Sequence, residues 1–287
     1  MEKSIENDPV GRYYDKNTPR FLSLGHGSSA KAIHRAVWAP GVEDREEAIH
    51  YIHTLLSEEI EKAGAERILD IGCGVGGTIL YLAERYPASF LGVTLSSVQA
   101  SLGASYLAEA DPPGHCSIMQ GDFCLPEART ALGKGFDLAF AVEAFLHMKD
   151  PECFLQSAAD ILRPGGILVV ADDFLTSRGG DSPRGVKAGR MVESFREGWH
   201  ARSLISSDSF LTRAGSFGFT GTENYDLTPY LELDRPRDLF LRPLAALVRR
   251  LPHSSPLWSN IVGGDALQFC LKKGLVEHRF IVLRRER

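Results

Sequence analysis

An aspartate followed by a cluster of glycines is the feature of this sequence that points most directly to chemistry. Residues 68–82 read ILDIGCGVGGTILYL, in which Asp70 ends an apolar run, Gly72 and Gly74 follow, and a helical pattern comes next. Glycines allow tight backbone dihedrals and let a ligand approach the main chain without a Cβ in the way. Free N–H groups at the start of the next helix favour a carboxylate or a phosphate. The segment therefore predicts a nucleotide-like ligand that crosses a strand-to-helix turn.

The spacing of these glycines narrows the class of ligand. No Gly-Lys-Ser/Thr follows them, which excludes a Walker phosphate loop. Their order is G-x-G-x-G rather than G-x-G-x-x-G, which disfavours a dinucleotide fold. Thr94 also stands where a dinucleotide dehydrogenase generally carries an acid.

Short apolar runs alternate with helical patterns around this turn. Runs rich in Ile, Leu and Val suit strands that are buried on both faces of a parallel sheet. The predicted strands are 67–71, 89–94, 116–120, 136–142, 166–172, 217–227 and 276–283, and the predicted helices are 43–63, 77–85, 97–110, 126–133 and 151–162. Residues 1–40 show no clear pattern and are expected to be irregular.

Together with four later stretches, ILDIGCGVGG resembles the first motif of the class I S-adenosylmethionine-dependent methyltransferases. The later stretches are LGVTLSSVQ, QGDF, FDLAFAVEAFLHMKDP and LRPGG, in the family's order. GVTLSSVQ is similar to the branch of sterol and cyclopropane-lipid C-methyltransferases. The resemblance implies an α/β fold with a doubly wound, seven-stranded, mostly parallel sheet and an antiparallel last strand. We expect one domain, with a helical cap in 1–63, the cofactor-binding core in 64–175, substrate-covering segments and the sixth strand in 176–275, and the last strand in 276–287.

The resemblance also implies the cofactor, S-adenosylmethionine, with S-adenosylhomocysteine as its product. By position, the turn after Asp70 holds the methionyl end, the QGDF segment meets the adenine, and the pair Thr94–Leu95 with Gln99 meets the ribose in place of the more usual acid. The tyrosine of YYDKNTPRF resembles one that folds over the cofactor, although it could also anchor the cap by packing. The implied cofactor-binding residues are Tyr14, Asp70, Gly72, Gly74, Thr94, Leu95, Gln99, Gly121, Asp122 and Phe123.

Catalytic candidates follow the fourth predicted strand, at the edge of the sheet where open α/β folds bind ligands. Glu143 and His147 lie four residues apart and face the same side if the segment is helical. An acid and a histidine at this spacing recur at the substrate pockets of the resembling family, although His147 could instead buttress the helix start. After the fifth strand, Asp172 or Asp173 either faces the pocket or caps the chain's exit.

Substrate-contacting candidates are expected in the cap and after the fifth strand. His26 lies in the cap segment together with His34 and Arg35, and Trp199 and His200 lie where the resembling family builds its substrate lid.

Arginines are mixed with apolar residues between positions 233 and 252, where Pro236 and Pro243 disfavour one continuous helix. One interpretation is a lid that binds a diphosphate, since arginine forks suit phosphate oxygens. The interpretation we favour is a solvated surface on which two aspartates pair the first two arginines, and a membrane surface or an anionic partner is a third. The residues concerned are Asp234, Arg235, Arg237, Asp238, Arg242, Arg249 and Arg250.

These observations predict an enzyme that methylates a small molecule. Carbon is the first expectation for the accepting atom, in a lipid, isoprenoid or natural-product intermediate, and oxygen or nitrogen of a small metabolite is the alternative. A macromolecular methyltransferase or an inactive cofactor-binding protein is disfavoured. The 287 residues carry a net charge of −5, whereas proteins that bind nucleic acids usually present a clustered basic surface.

The remaining features concern metal, compartment and assembly. Five scattered cysteines without a CxxC pair indicate neither a disulfide framework nor a zinc site, so no metal is expected. The polar, acidic N-terminus shows no signal peptide, and no apolar run is long enough for a membrane span, which indicates the cytoplasm. A homo-oligomer remains open.

Overall fold

A twisted seven-stranded sheet forms the centre of the computed structural model, which describes residues 8–24, 31, 34–179, 185–233, 235–249 and 256–286. Its order is β3-β2-β1-β4-β5-β7-β6, and only β7 runs antiparallel to its neighbours. The expected doubly wound fold with an antiparallel last strand is thus confirmed. The strands are β1 (Arg67–Ile71), β2 (Ser89–Thr94), β3 (Cys116–Gln120), β4 (Phe136–Val142), β5 (Leu162–Leu175), β6 (Phe219–Asp226) and β7 (Val276–Arg285).

Helices cover both faces of the sheet. Side chains of Asp44, Ser96, Asp150 and Ser206 accept hydrogen bonds from backbone N–H groups in the first turns of four of them, which fixes where those helices begin. The helices are α1 (Pro9–Leu24), α2 (Arg45–Ala63), α3 (Gly77–Ala83), α4 (Ser97–Ala110), α5 (Pro126–Leu132), α6 (Pro151–Ile161), α7 (Val186–Gly198), α8 (Ser207–Ser216), α9 (Pro236–Val248) and α10 (Pro256–Lys272).

Two expectations about local structure were wrong. Residues 1–40 are not irregular throughout, because α1 begins where the Asp8 carboxylate accepts a hydrogen bond from Val10 N–H (2.8 Å). The proline at 19 obscured this helix in the sequence. In addition, α9 runs through Pro243 as one helix. Pro236 occupies its first position, where a missing N–H costs nothing, and Pro243 removes a single backbone bond while Ala245 is buried beyond it.

The sheet is buried on both faces, and this brings the ends of its strands together. On one face, Ile68 of β1 and Phe140 of β4 pack with α2, α3, α7 and α10. On the other face, Leu69 and Ala139 pack with α5, α6 and α8. Because β1, β2, β3 and β4 are parallel, the loops after them meet at one edge.

Within the described ranges, no helix combines the length and the apolar character that crossing a membrane requires.

Candidate active site

A cavity opens at the carboxyl ends of β1, β2, β3 and β4, with an empty volume of about 940 Å³ including its mouth. Its walls come from α1, the glycine turn, and the segments that follow β2, β3 and β4. All ten positions implied for cofactor binding line this cavity, and so do Glu143 and His147. No lining residue comes from the described part of 176–275, the region expected to cover the substrate.

The glycine turn is pinned onto the neighbouring strand. The N–H groups of Gly72 and Cys73 both donate to the Val93 carbonyl, at 2.8 and 3.1 Å. Gly72 has a φ of +80°, and a Cβ built on it would lie 2.4 Å from the Cβ of Ala144. Only glycine therefore fits between the turn and the segment after β4.

Asp70 presents a buried carboxylate to the cavity wall. Asp70 is only 4% exposed, and its carboxylate oxygens make no hydrogen bond to the residues that the structure describes. Burial raises the pKa of this carboxyl well above its ordinary value. A buried acid without a protein partner is suited to pair with a cationic ligand group, and the amino group of S-adenosylmethionine supplies one.

The residues expected at the ribose form a joined polar pair. Thr94 Oγ1 donates to Gln99 Oε1 at 2.7 Å, and both side chains are buried. The side-chain nitrogen of Gln99, Nε2, makes no hydrogen bond within the described ranges, so it is left to meet a ligand in the cavity. Ser96 Oγ lies next to this pair. It accepts a hydrogen bond from Gln99 N–H at the start of α4 and donates one to Asp15 Oδ1 of α1 at 2.6 Å.

The segment after β3 combines an acid with an aromatic ring. Asp122 Oδ1 accepts from Cys124 N–H at 3.0 Å, and burial raises the pKa of the Asp122 carboxyl. Phe123 is buried and packs edge-on against Phe154, with ring centroids 5.9 Å apart. Taken with Asp70 and Gln99, these donors, acceptors and apolar surfaces fit S-adenosylmethionine from its amino acid to its adenine.

His147 lies in a 3-10 turn after β4 and meets the first helix. Its Nε2 is 3.1 Å from the hydroxyl of Tyr14, while its Nδ1 is buried without a hydrogen bond to the described residues. Burial lowers the pKa of His147 to about 4, although the backbone at His200 and Trp199 acts to raise this pKa. The imidazole is therefore neutral at neutral pH, and one of its ring nitrogens carries a lone pair.

Glu143 is held by an arginine from the linker between α1 and α2. Its Oε1 accepts from the backbone N–H of Arg35 at 2.9 Å and from Arg35 Nε at 3.0 Å. Although burial alone would raise the pKa of Glu143, the charge of Arg35 brings it below its ordinary value. Glu143 also adopts a left-handed φ of +49°, which the ion pair holds in place. These two bonds tie the Glu143 carboxylate to the linker between α1 and α2.

The same arginine reaches the end of β5. Arg35 Nη2 donates to Asp173 Oδ1 at 2.7 Å, and Asp173 also lies 3.0 Å from His278 Nδ1. Burial alone would raise the pKa of Asp173, but Arg35 lowers it below the ordinary value. Nothing in the sequence identified Arg35 as the partner of Glu143 and Asp173, because the ion pairs join segments more than a hundred residues apart.

Asp172 neither lines the cavity nor caps an exit from the sheet, because β5 continues to Leu175. Its Oδ2 accepts from Leu146 N–H at 2.9 Å and its Oδ1 from Asp173 N–H at 2.8 Å. It thereby holds the turn that carries His147. Burial raises the pKa of Asp172 well above its ordinary value.

The substrate-contacting candidates that the structure describes do not line the cavity. His26 lies outside the described residues, and Trp199 and His200 are not among the lining residues. Trp199 Nε1 donates to the Asn260 carbonyl at 3.4 Å, and the His200 ring lies edge-on to Tyr13, with centroids 5.6 Å apart. Trp199 therefore contacts α10, His200 contacts α1, and neither residue lines the cavity.

Ion pairs account for the described arginines of α9 and its flanks. Arg235 pairs with Asp238 at 3.0 Å, and Arg242 and Arg249 share Asp265 at 3.7 and 2.7 Å. None of these residues lines the cavity, which agrees with the solvated-surface interpretation. Asp234, Arg250 and the side chain of Arg237 lie outside the described part of the chain.

As far as the structure describes the chain, no group of three or more His, Cys, Asp or Glu side chains is placed to hold a metal ion.

Known proteins resemble this chain in both sequence and fold. Residues 68–166 match the family model described as a methyltransferase domain. The O-methyltransferase cnsE of Penicillium expansum is 29% identical over 232 residues, which cover 79% of this chain and 76% of the relative. Cycloartenol-C-24-methyltransferase 1 of Oryza sativa subsp. japonica is 28% identical over 242 residues, 82% of this chain and 67% of the relative.

A solved structure of the same fold is the cyclopropane synthase MmaA2 from Mycobacterium tuberculosis. It has a TM-score of 0.73 and 18% identity, over 97% of this chain and 100% of that one. The predicted enzyme class and cofactor are confirmed by these matches, and the cavity contains the groups that such a cofactor requires. Residues 68–166 of this chain are thus a methyltransferase domain, and the chain resembles small-molecule methyltransferases in sequence and fold.

Proposed function

We propose that this enzyme methylates a hydroxyl oxygen of a small, mainly apolar molecule and that His147 receives the hydroxyl proton. The observation that carries the proposal is the neutral imidazole of His147, which lies on the wall of the cofactor cavity and within 3.1 Å of the Tyr14 hydroxyl. A hydroxyl acceptor must lose its proton when its oxygen gains a methyl group, so the site needs a base. The bound cofactor supplies the methyl group on a positively charged sulfur.

Two features of the chain suit this proton transfer. The Tyr14 hydroxyl can hold the imidazole in place and can exchange its hydrogen bond for one to the acceptor. Helix α1 lies over the cavity through Val10 and Tyr14, which keeps water from competing with the acceptor. The apolar lining next to His147, including Val142 and Met148, suits an acceptor with a hydrocarbon body.

Methylation of an alkene carbon, the first expectation from the sequence, finds no uncommitted carboxylate next to His147. Attack by an alkene leaves a carbocation, which needs a nearby carboxylate or aromatic face. Glu143 is the carboxylate beside His147 in sequence, and the Arg35 guanidinium already neutralises it. Asp172 and Asp173 are likewise committed to backbone N–H groups and to Arg35. The O-methyltransferase name of one relative agrees with an oxygen acceptor, whereas the cycloartenol enzyme's name keeps carbon as the alternative.

Isotope labelling tests the accepting atom. The enzyme is supplied with S-adenosylmethionine carrying a ¹³C-labelled methyl group, together with hydroxynaphthalenes, their methoxy counterparts and isoprenoid alkenes. We expect the product spectrum to show a methyl group on oxygen, with no product from the methoxy counterparts. A labelled methyl group on carbon, or equal turnover when the hydroxyl is blocked, would contradict the proposal.

A further inference from the structure

Three histidines form a continuous hydrogen-bonded chain beside the cofactor cavity. His34 Nε2 lies 3.0 Å from His53 Nε2, and His53 Nδ1 lies 2.9 Å from His50 Nδ1. His53 is fully buried, whereas His50 is partly exposed and stacks on Tyr81 with ring centroids 4.3 Å apart. His34 also lines the cavity. Neither the cofactor contacts described above nor the proton transfer at His147 involves these three histidines.

A backbone carbonyl fixes the proton positions along the three rings. His34 Nδ1 lies 3.2 Å from the Arg35 carbonyl, which can only accept, so this nitrogen carries the hydrogen. In a neutral ring, His34 Nε2 is then an acceptor, which requires the hydrogen of His53 to be on Nε2. His53 Nδ1 consequently accepts from His50 Nδ1. Burial lowers the pKa of all three histidines, which keeps the rings neutral at neutral pH.

The chain of histidines ends on a threonine in the cavity wall. Thr78 Oγ1 lies 3.1 Å from His53 Nε2, and Thr78 makes no other side-chain hydrogen bond to the described residues. Because the one hydrogen on His53 Nε2 lies between two acceptors, it is shared by His34 Nε2 and Thr78 Oγ1, and His53 Nε2 cannot accept from the threonine. The hydroxyl hydrogen of Thr78 is therefore left for a ligand in the cavity that Thr78 lines.

We propose that Thr78 donates this hydrogen to the carboxylate of the cofactor's amino acid and that His53 is the residue that positions it. The ammonium and carboxylate groups of that amino acid are attached to the same carbon. Pairing of the ammonium with Asp70 therefore brings the carboxylate to the same glycine turn, next to which Thr78 lies in α3. His34 and His50 keep His53 in the required tautomer. The inference rests on the cofactor and not on the identity of the accepting atom.

Calorimetry with two ligands isolates the contact. S-adenosylhomocysteine is compared with S-adenosyl-3-thiopropylamine, which is the same molecule without its carboxylate. Since a hydrogen bond to a charged group is removed, Thr78→Val should weaken S-adenosylhomocysteine binding about 10- to 100-fold and leave the decarboxylated ligand unchanged. Thr78→Ser retains the hydroxyl and should bind both ligands as the wild type does. Unchanged binding of S-adenosylhomocysteine by Thr78→Val, or an equal loss of both ligands, would overturn the proposal.

Variants at His53 test the positioning role. His53→Leu removes the N–H donor and should weaken S-adenosylhomocysteine binding roughly 3- to 10-fold without affecting the decarboxylated ligand. His53→Gln keeps a donor in place and should restore the difference between the two ligands. His115 is exposed, and His115→Leu serves as the matched control with no effect on either ligand. Equal behaviour of the Leu and Gln variants would refute the positioning role, whereas failure of the wild type to bind S-adenosylhomocysteine would argue against the cofactor itself.

Discussion

Replacing Asp70 by asparagine should make the free protein more stable while making the cofactor bind more weakly. Asp70 is 4% exposed, and its carboxylate makes no hydrogen bond to the described residues, so the negative charge is buried without a partner. Burial raises its pKa in the folded state above the unfolded value of about 3.9. The folded state therefore holds its proton more tightly than the unfolded state does. The resulting penalty on folding begins as the pH rises past the unfolded pKa and is complete above the folded one.

The expected magnitudes follow from this burial. An uncompensated buried polar or charged group costs about 1–3 kcal/mol, so removing its charge should raise the free energy of unfolding by about 2 kcal/mol. For a chain of this size, that corresponds to an increase in Tm of roughly 4–8 °C. Losing the partner of the cofactor's amino group should cost about 3 kcal/mol of binding, which is an affinity lower by roughly 100-fold.

Thermal unfolding of the ligand-free protein and calorimetric titration with S-adenosylhomocysteine measure the two effects at pH 7. Glu58 is an exposed acid in the middle of α2, and Glu58→Gln, which also replaces a carboxylate by its amide, is the matched control that should change neither quantity. A lower Tm for the ligand-free Asp70→Asn variant, or undiminished affinity for S-adenosylhomocysteine, would refute the reasoning.

Two further predictions concern the acceptor side of the cavity. His147→Gln should lower kcat about 100- to 10,000-fold with little change in cofactor affinity, because it removes the proposed base. In the wild type, kcat/KM should fall as the pH drops through about 4, where His147 gains a proton, and a fall near pH 6.5 would contradict this assignment. Arg35→Met should lower the free energy of unfolding by about 3–5 kcal/mol in urea titrations, because it leaves Glu143 and Asp173 buried without their cation. A loss below 1 kcal/mol would show that these carboxylates have other partners.

Much of the sheet and the cavity could be predicted because both depend on local patterns. Runs such as Phe136–Val142 are apolar except for one aspartate and are bounded by turn residues, so their ends in the structure agree with those expected from the sequence. The motifs fall at the carboxyl ends of parallel strands, which meet at one edge. Topology alone therefore brings Asp70, Gln99 and Asp122 to one cavity.

Features that depend on long-range contacts could not be predicted. Helix α1 is held by tertiary bonds, such as those from Ser96 Oγ and Val98 N–H to Asp15 Oδ1, and these have no sequence pattern. The pairing of Arg35 with Glu143 likewise depends on how the linker after α1 crosses the end of β4. An acid four residues before a histidine predicted a catalytic pair, but this spacing could not indicate that Arg35 pairs with the Glu143 carboxylate.

The central claim is that this cavity binds S-adenosylmethionine across the glycine turn, and titration of the purified chain tests it most directly. Gly74 lines the cavity with a φ of +55°, where valine would add bulk to the site. We predict that S-adenosylmethionine and S-adenosylhomocysteine each bind at one site per wild-type chain and that Gly74→Val binds neither while still unfolding cooperatively. Failure of both ligands to bind the wild type, or full affinity in Gly74→Val, would contradict the account.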